Sequence, residues 1–400
     1  MAKVFYVGAF NFPIGDAAAA RVLSNGKIFR ELGYEVSFIG MGQYSRAEDK
    51  DVNGEYYYQG FHYYQTDEFR REKTNLLKRS FDYLNRGDAI IAILKKIELQ
   101  KNDIIIAYHP ESIFTSRLHF ICKKHAVKFI VDITEWQSPN ELPFGRYGPI
   151  AIDNELKMRC VYNKVSNKIV ISTFLNKHYG LKSNTIILPP LVDSSDMKWL
   201  RFNNAANLIN KDDNAIKIIY AGTPGKKDAL DTMIKAIINL LNTGINMYFY
   251  IVGMTMDNYM YSPLFDLIIK YERNIRFLGR HSQEVIPSIY KKVDFSILIR
   301  EDTIKSQAGF PTKLVESMMA GIPVIINLTS DIGDYIVDGE NGFIIGDSSE
   351  KTLTKHLFDI ASISDEKLQN MKNQAKKCGL DKFDYHNYIE KTKRFIEILQ

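Results

Sequence analysis

Residues 309–325 read GFPTKLVESMMAGIPVI, a loop followed by a helix and then a strand. The glycine and proline at its start favour a turn, and Thr312 is expected to cap a helix that runs to Ala320. Gly321 then ends the helix, and the next strand opens two residues later. The first turn of such a helix carries free N–H groups and the positive end of the helix dipole, so this stretch predicts a phosphate site.

Charged side chains surround this helix start in the sequence. Lys313 adds a positive charge in its first turn. Glu316 lies one turn further along, where a carboxylate can accept both hydroxyl groups of a ribose. Arg300 follows the strand expected at 294–297, and its guanidinium can hold a diphosphate through two hydrogen bonds. Together these side chains predict a binding site for a nucleoside diphosphate.

Strand-like runs alternate with helical patterns along the chain, which predicts an α/β fold with parallel sheets. Several runs are rich in Ile and Val without polar alternation, as in strands that are covered on both faces. Asp16 is expected to cap a helix at 17–32 that Gly33 ends. The strands are expected at 4–7, 36–39, 103–107, 128–131, 168–171, 185–188, 216–220, 247–252, 275–278, 294–297 and 324–326.

Two doubly wound domains account for this pattern. We expect an N-terminal Rossmann-like domain at 1–202, a polar linker at 203–214 and a C-terminal Rossmann-like domain at 215–382. A last helix at 383–400, after a loop around Gly379, would pack back on the N-terminal domain. Open parallel sheets bind ligands beyond the carboxyl ends of their strands, so the loops there are the candidate sites.

The 309–325 stretch resembles the donor site of the retaining glycosyltransferases of family 4, which have the two-domain GT-B fold. The resemblance implies that Glu316 binds the donor ribose. It also implies that Gly309, Phe310 and Thr312 lie beside the transferred sugar and its diphosphate. The family usually carries a second Glu eight positions before the first, where this chain has Ala308.

A second loop, after the strand at 216–220, supports the donor assignment. It contains Gly222 followed by Lys226 and Lys227, a glycine-rich turn with adjacent lysines that suits a phosphate. The resemblance places a basic pair here, although the spacing of this chain differs, and either lysine can serve. A solvated basic helix start is the alternative. The resemblance also places Arg280 near the nucleotide base.

The loop after the first strand ends at Gly15. In the family a glycine-rich loop here faces the donor diphosphate and the acceptor, which makes Gly15, Asp16 and Arg21 candidates. Arg21 fits a plain surface residue equally well.

The loops after the strands at 103–107 and 128–131 offer three more acceptor-side candidates. Asp132 and Glu135 would stand at the rim of the site, and Glu135 is the best candidate to help deprotonate the acceptor hydroxyl. The leaving phosphate can also take that proton, and a capping or ion-paired Glu135 is an equal alternative. His109 is a weaker candidate, with a structural histidine favoured.

Composition excludes several other classes. The 400 residues are 45% hydrophobic and 25% charged, with a net charge of +5, which is too mild for a protein that coats nucleic acid. Three dispersed cysteines and the lack of metal-ligand spacings predict no disulfide framework, no metal and no cofactor. The N-terminus enters a strand pattern directly, which predicts a cytoplasmic protein. Residues 70–86 are basic and amphipathic and would touch an anionic membrane, or else pack as an ordinary surface helix.

The sequence therefore predicts a metal-independent, hexosyltransferase-like enzyme that moves a sugar from a UDP- or GDP-sugar to an acceptor hydroxyl. The acceptor would be a saccharide or a lipid-linked molecule in surface polysaccharide, lipopolysaccharide or glycolipid assembly. A nucleotide-sugar epimerase of the same fold and an inactive nucleotide-binding homologue are the alternatives. The sugar, the base, the acceptor, the replacement for the missing Glu and the oligomeric state stay open.

Overall fold

The computed structural model describes residues 1–42, 47–66, 68, 82–200, 208–210, 214–225 and 228–399. Contacts divide the chain into two compact units. The first comprises Met1–Val192, Ala308–Phe310 and Tyr385–Gln400. The second comprises Asp193–Gln307 and Pro311–Asp384, so the boundary lies at 192/193, before the linker expected at 203–214.

The first unit contains an eight-stranded sheet in the order β3-β4-β2-β1-β5-β6-β7-β8. Its strands run parallel except for the β3–β4 hairpin. Ile and Val side chains of the central strands lie in a core with aromatic rings such as Tyr6, Phe38 and Phe61. The strands are β1 Lys3–Gly8, β2 Glu35–Gly40, β3 Tyr56–Tyr58, β4 Phe61–Tyr64, β5 Ile104–Tyr108, β6 Lys128–Ile133, β7 Asn167–Val170 and β8 Asn184–Ile187.

The second unit contains a six-stranded parallel sheet in the order β11-β10-β9-β12-β13-β14. All eleven strands expected from the sequence are present in the two sheets, within one or two residues of the expected bounds. The short strands β3, β4 and β14 escaped the sequence analysis, which relied on longer Ile/Val runs. The strands of this unit are β9 Ile216–Ala221, β10 Met247–Val252, β11 Ile275–Gly279, β12 Phe295–Leu298, β13 Val324–Asn327 and β14 Gly342–Ile345.

Helices connect the strands in both units. The Asp16 cap is confirmed, because its side chain accepts a hydrogen bond from the Ala19 N–H. Gly33 follows the helix with a φ of 88°, as a terminating glycine does. The α-helices of the described residues are α1 Ala17–Glu31, α2 Asp88–Lys96, α3 Ser112–His125, α4 Pro149–Leu156, α5 Thr173–Tyr179, α6 Met197–Leu200, α7 Leu230–Asn242, α8 Phe265–Lys270, α9 Ile286–Tyr290, α10 Ile304–Ala308, α11 Thr312–Met319, α12 Glu350–Ile360, α13 Asp365–Phe383 and α14 Ile389–Glu397.

The expected break around Gly379 is wrong, because α13 runs through it. A Cβ at Gly379 would lie 2.8 Å from the backbone carbonyl of Met318. The glycine therefore lets α13 approach α11 closely. In the sequence, this glycine was interpreted as part of a loop, although its role is to allow the two helices to pack. The chain then joins the first unit, where the Tyr385 N–H donates to the Val192 carbonyl.

Candidate donor-side and acceptor-side sites

The α11 helix is held firmly in the second unit. The Ser317 hydroxyl lies 2.6 Å from that of Ser296 on β12 and donates to the carbonyl of Ile322. The helix begins one residue earlier than expected, with Pro311 rather than Thr312 at the N-cap. No side chain caps it. Proline has no N–H and a fixed φ, so it suits a helix start without acting as a cap acceptor.

Lys313 turns back from α11 toward the end of β9. Its ammonium lies 4.1 Å from the ring centroid of Tyr220, donates to the Tyr220 hydroxyl, and lies 3.4 Å from the Asp228 carboxylate. The lysine stem crosses Gly222, where a Cβ would stand 2.4 Å from the lysine Cε. Gly222 also has a φ of 132°, which favours glycine. The loop after β9 therefore needs its glycine to admit Lys313.

Asp228 is the carboxylate at the centre of this cluster. It accepts hydrogen bonds from the Gly225 N–H and the Tyr220 hydroxyl. Burial alone would raise the pKa of Asp228, but Lys313, the Gly225 N–H and Arg300 hold it below its ordinary value. Sequence analysis missed Asp228 and Tyr220 as members of the site. Their proximity to the lysine pair was the available signal.

Arg300 is 2% exposed and lies beside the same carboxylate. Its Nε is 3.9 Å from Asp228, beyond hydrogen-bond distance, and its Nε and Nη1 are buried without a hydrogen-bond partner among the described residues. The side-chain amide of Asn327, at the end of β13, fixes the Arg300 backbone through both its N–H and its carbonyl. Arg300 is therefore a rigidly placed cation with unused donors, in line with its assignment to phosphate.

Glu316 is half-buried on α11. Its carboxylate accepts no hydrogen bond within the described part of the chain. Burial raises the pKa of its carboxyl, an effect that Lys198 and Lys313 partly offset. The remaining donor-side candidates divide by exposure: Arg280 is exposed, and Thr312 is half-buried. Lys226 and Lys227, the predicted phosphate pair, lie outside the described residues.

Residues 308–310 group with the first unit. Ala308 and Phe310 are buried, and the Ala308 carbonyl accepts a hydrogen bond of 2.7 Å from the Ser172 hydroxyl. Gly309 is buried between them. The position where the family usually has Glu is thus a fully buried residue without a polar side chain.

The structure excludes the rim position expected for Asp132 and the surface position that was the alternative for Arg21. Asp132 is fully buried, and Arg21 is 4% exposed rather than a surface residue. Arg21 donates to both Asp132 oxygens and to the carbonyls of Leu188 and Pro189, and Tyr6 donates to the same carboxylate. The two charges satisfy each other inside the core, so Asp132 does not stand at a solvent-facing rim.

The other acceptor-side candidates remain accessible to differing degrees. Gly15 is exposed, and the Asp16 carboxylate is engaged by Asn11 and by the start of α1. Glu135 is half-buried, and one of its oxygens accepts from the Gln137 amide. His109 directly follows β5 with a φ of 41°. Most of the predicted membrane segment, 69–81, lies outside the described residues.

Searches of the described residues add two observations. They contain no group of three or more His, Cys, Asp or Glu side chains placed to hold a metal ion. None of the helices described is long and apolar enough to cross a membrane.

Part of the chain matches a known family. Residues 202–378 match the family described as Glycosyl transferases group 1. The uncharacterized glycosyltransferase MJ1178 of Methanocaldococcus jannaschii is 22% identical over 182 residues, which are 45% of this chain and 48% of that protein. The match thus spans about half the length of this curated relative.

Solved structures resemble the chain over nearly its whole length. Sucrose-phosphate synthase from Thermosynechococcus elongatus has a TM-score of 0.74 at 11% identity and covers 99% of this chain and 98% of its own. A glycosyltransferase from Rickettsia africae has a TM-score of 0.67 at 15% identity. The match covers 99% of this chain and 98% of that protein's chain. Anabaena Alr3699/HepE, solved with UDP and glucose, has a TM-score of 0.68 at 12% identity. This match covers 100% of both chains. Such identities establish the fold alone: the chain has the GT-B fold, and its residues 202–378 match the glycosyl transferases group 1 family.

Proposed function

We propose that the chain is a retaining glycosyltransferase, similar to family 4, that moves a sugar from a UDP- or GDP-sugar to an acceptor hydroxyl. The carrying observation is Arg300, a buried guanidinium with two unpartnered nitrogens beside the Lys313 ammonium. A buried polar group is normally hydrogen-bonded, so these donors suit an anionic ligand. Anabaena Alr3699/HepE was solved with UDP-glucose, which supports a nucleotide-sugar donor.

The chemistry follows from the charges of the second unit. As the bond between the sugar C1 and the phosphate oxygen breaks, negative charge builds on the leaving diphosphate. Arg300, Lys313 and the free N–H groups at the start of α11 would stabilise that charge, and this role needs no bound metal ion. The Glu316 carboxylate would accept the ribose hydroxyls. The acceptor oxygen would bond to C1 on the face that the diphosphate leaves, and its proton would pass to the departing phosphate or to Glu135.

We also propose the class of acceptor and the cellular place of the reaction. A saccharide or lipid-linked acceptor in surface polysaccharide, lipopolysaccharide or glycolipid assembly suits this chemistry. A cytoplasmic location, with contact to the inner membrane face through 70–86, remains a prediction.

Labelled donors test the proposal directly. The protein would be incubated with UDP- and GDP-sugars, with and without saccharide acceptors, in buffer containing EDTA. Acceptor-dependent release of free nucleotide, with a product that keeps the anomeric configuration of the donor, is expected. Interconversion of the donor sugar without an acceptor would indicate an epimerase instead. Nucleotide binding without turnover across a broad acceptor panel would indicate an inactive homologue.

A further inference from the structure

A second polar cluster lies wholly within the first unit. His109 follows β5 and Glu135 follows β6, two neighbouring parallel strands whose carboxyl ends share one edge of the sheet. Glu111 precedes α3, Asn154 lies on α4, and Lys157 begins the π-helical turn that continues α4. A π-helical turn is rare and frequently found at functional sites.

Several atoms of this cluster are buried without a hydrogen-bond partner among the described residues. They are both ring nitrogens of His109, Oε2 of Glu111 and Oδ1 of Asn154. Glu111 is 8% and Asn154 2% exposed, so solvent does not compensate them fully. Buried polar atoms are almost always paired, and so many unpaired atoms in one neighbourhood indicate a ligand.

The other polar atoms of the same residues are committed, which fixes their positions. The second oxygen of Glu111 accepts from Arg86, and the Asn154 amide donates to the Gln137 carbonyl. One oxygen of Glu135 accepts from the Gln137 side chain. The unpaired atoms of Glu111 and Asn154 are therefore held in place and do not simply await a different rotamer.

Lys157 is the cation of the cluster. It is 8% exposed, it interacts electrostatically with Glu111, Asp153 and Glu135, and it donates no hydrogen bond within the described residues. Asp153 is already occupied, since it accepts from the Tyr83 hydroxyl and the Ser112 N–H. Burial lowers the pKa of Lys157 despite these carboxylates. Lys157 is thus a largely desolvated ammonium that faces carboxylates but donates no hydrogen bond to any described residue.

The chemistry of the unpaired atoms selects the ligand class. Glu111 Oε2 and Asn154 Oδ1 can only accept, a neutral His109 offers one acceptor and one donor, and Lys157 only donates. Burial and Lys157 together hold the pKa of His109 well below its ordinary value, so this ring is neutral at pH 7. A ligand must therefore both give and receive hydrogen bonds, which sugar hydroxyl groups do.

The charge of the neighbourhood excludes anionic groups. Among the described residues, two cations, Arg86 and Lys157, face three carboxylates, Glu111, Asp153 and Glu135. A carboxylate or phosphate group would meet a net negative environment and would have no hydrogen to donate to the unpaired acceptors. An uncharged sugar ring carries no negative charge, and its hydroxyl groups can donate to the unpaired acceptors.

We propose that Lys157, His109, Asn154 and Glu111 form a subsite that binds the hydroxyl groups of an uncharged sugar ring. The proposal rests on the proposed function, for which it names the acceptor class: a glycan ending in a neutral sugar. Lys157 donates to a ring hydroxyl, and that sugar's hydroxyls donate to Glu111 and Asn154.

Binding to the full chain without any donor tests the subsite. Saturation-transfer NMR would be recorded with methyl glycosides of glucose, galactose, mannose and N-acetylglucosamine, and with methyl glucuronide. At least one neutral glycoside is expected to bind, and the glucuronide is not. Binding of none of them, or equal binding of the glucuronide, overturns the proposal.

Two variants locate the binding. Lys157→Met keeps the length of the side chain, and Glu111→Gln keeps its shape while it turns an acceptor atom into a donor. Each variant is expected to lower the affinity for the neutral glycoside about tenfold, as the loss of one charge-assisted hydrogen bond does. Lys177→Met, at an exposed lysine of α5, is the control and should not change binding.

Stability separates a binding role from a structural one. Because Lys157→Met removes the cation that Glu111, Asp153 and Glu135 face, Tm is expected to fall, and glycoside affinity must fall with it if the subsite exists. A lower Tm with unchanged glycoside affinity would show a structural ion cluster and overturn the subsite. A thermal shift by UDP reports on the second unit, so an intact UDP response with no glycoside binding contradicts only the subsite. A wild-type chain that binds glycosides but no nucleotide contradicts the proposed function.

Discussion

Arg300 is a buried residue that we expect to increase nucleotide affinity without increasing the stability of the fold. Its Nε and Nη1 lie in the protein interior without a hydrogen-bond partner. Arg300→Met should therefore leave the free energy of unfolding unchanged or raise it, since unpaired buried donors are removed. Affinity for UDP or GDP should fall roughly 10- to 100-fold, as expected for a charge-assisted hydrogen bond of about 1.5–3 kcal/mol.

Denaturant titration and calorimetric nucleotide titration measure the two effects of Arg300→Met. Arg273→Met, at an exposed arginine before β11, is the matched control and should change neither. A variant that is less stable but binds nucleotide normally would place Arg300 among the structural cations.

Glu316 is expected to make nucleotide binding depend on pH. Burial raises the pKa of its carboxyl, so Glu316 protonates at a higher pH than an ordinary glutamate. Only the carboxylate can accept from both ribose hydroxyls. Affinity should therefore be full above the Glu316 pKa and fall as pH decreases through it, whereas Glu316→Ala should bind weakly at every pH.

Titrations from about pH 8 to about pH 5 test this, around the range of a raised carboxyl pKa. The diphosphate itself titrates in this range, so the comparison is between wild type and Glu316→Gln, which share that effect. The ratio of their affinities should shrink at low pH. A constant ratio would contradict the ribose assignment.

Single residues were predictable from the sequence where local chemistry decided them. The Asp16 cap depends on neighbouring residues, and Arg300 and Lys313 lie directly beside recognisable elements. Long-range partners were not predictable. The Arg21–Asp132 pair joins residues 111 positions apart, and a charge next to a strand end looks the same in sequence whether it is exposed or paired.

At the scale of elements, α11 and α13 pack so closely that a glycine is required. In an exposed helix, Gly→Ala stabilises by about 1 kcal/mol. Here the new Cβ would meet the Met318 backbone at 2.8 Å, and backbone cannot move aside as a flexible side chain can. Gly379→Ala should therefore destabilise the chain by about 1–3 kcal/mol, as overpacking does.

Denaturant unfolding of Gly379→Ala, with Lys377→Ala at an exposed position of α13 as control, checks the sign. A stabilising alanine would mean that the two helices do not meet through their backbones. The same contact explains why the sequence analysis placed a helix break at Gly379. A glycine that allows close packing cannot be distinguished in the sequence from a glycine that ends a helix. Strand periodicity carried no such ambiguity, and the long Ile/Val strands were all found.

At the scale of the whole molecule, the chain returns to the first unit after building the second. Tyr385 and Phe395 are each 4% exposed and lie in the core of the first unit. The Lys128 ammonium donates to the Leu399 carbonyl, and the Asn184 amide to that of Phe395. The last helix is therefore part of the first unit's core, although the whole second unit precedes it in sequence.

Removing a core aromatic from this helix should destabilise the first unit selectively. Phe395→Ala is expected to cost about 3–5 kcal/mol, a large share of the about 5–15 kcal/mol that holds a typical domain. Hydrogen exchange should accelerate in β1 and β8, while β9 and β12 keep their protection. Nucleotide stabilises only the unit that binds it, so UDP should still protect β9 and β12 in the variant. Lys393→Ala, at an exposed position of the same helix, should behave as wild type. Faster exchange in β9 and β12, or a lost response to UDP, would contradict the assignment of α14 to the first unit's core and of the nucleotide to the second unit.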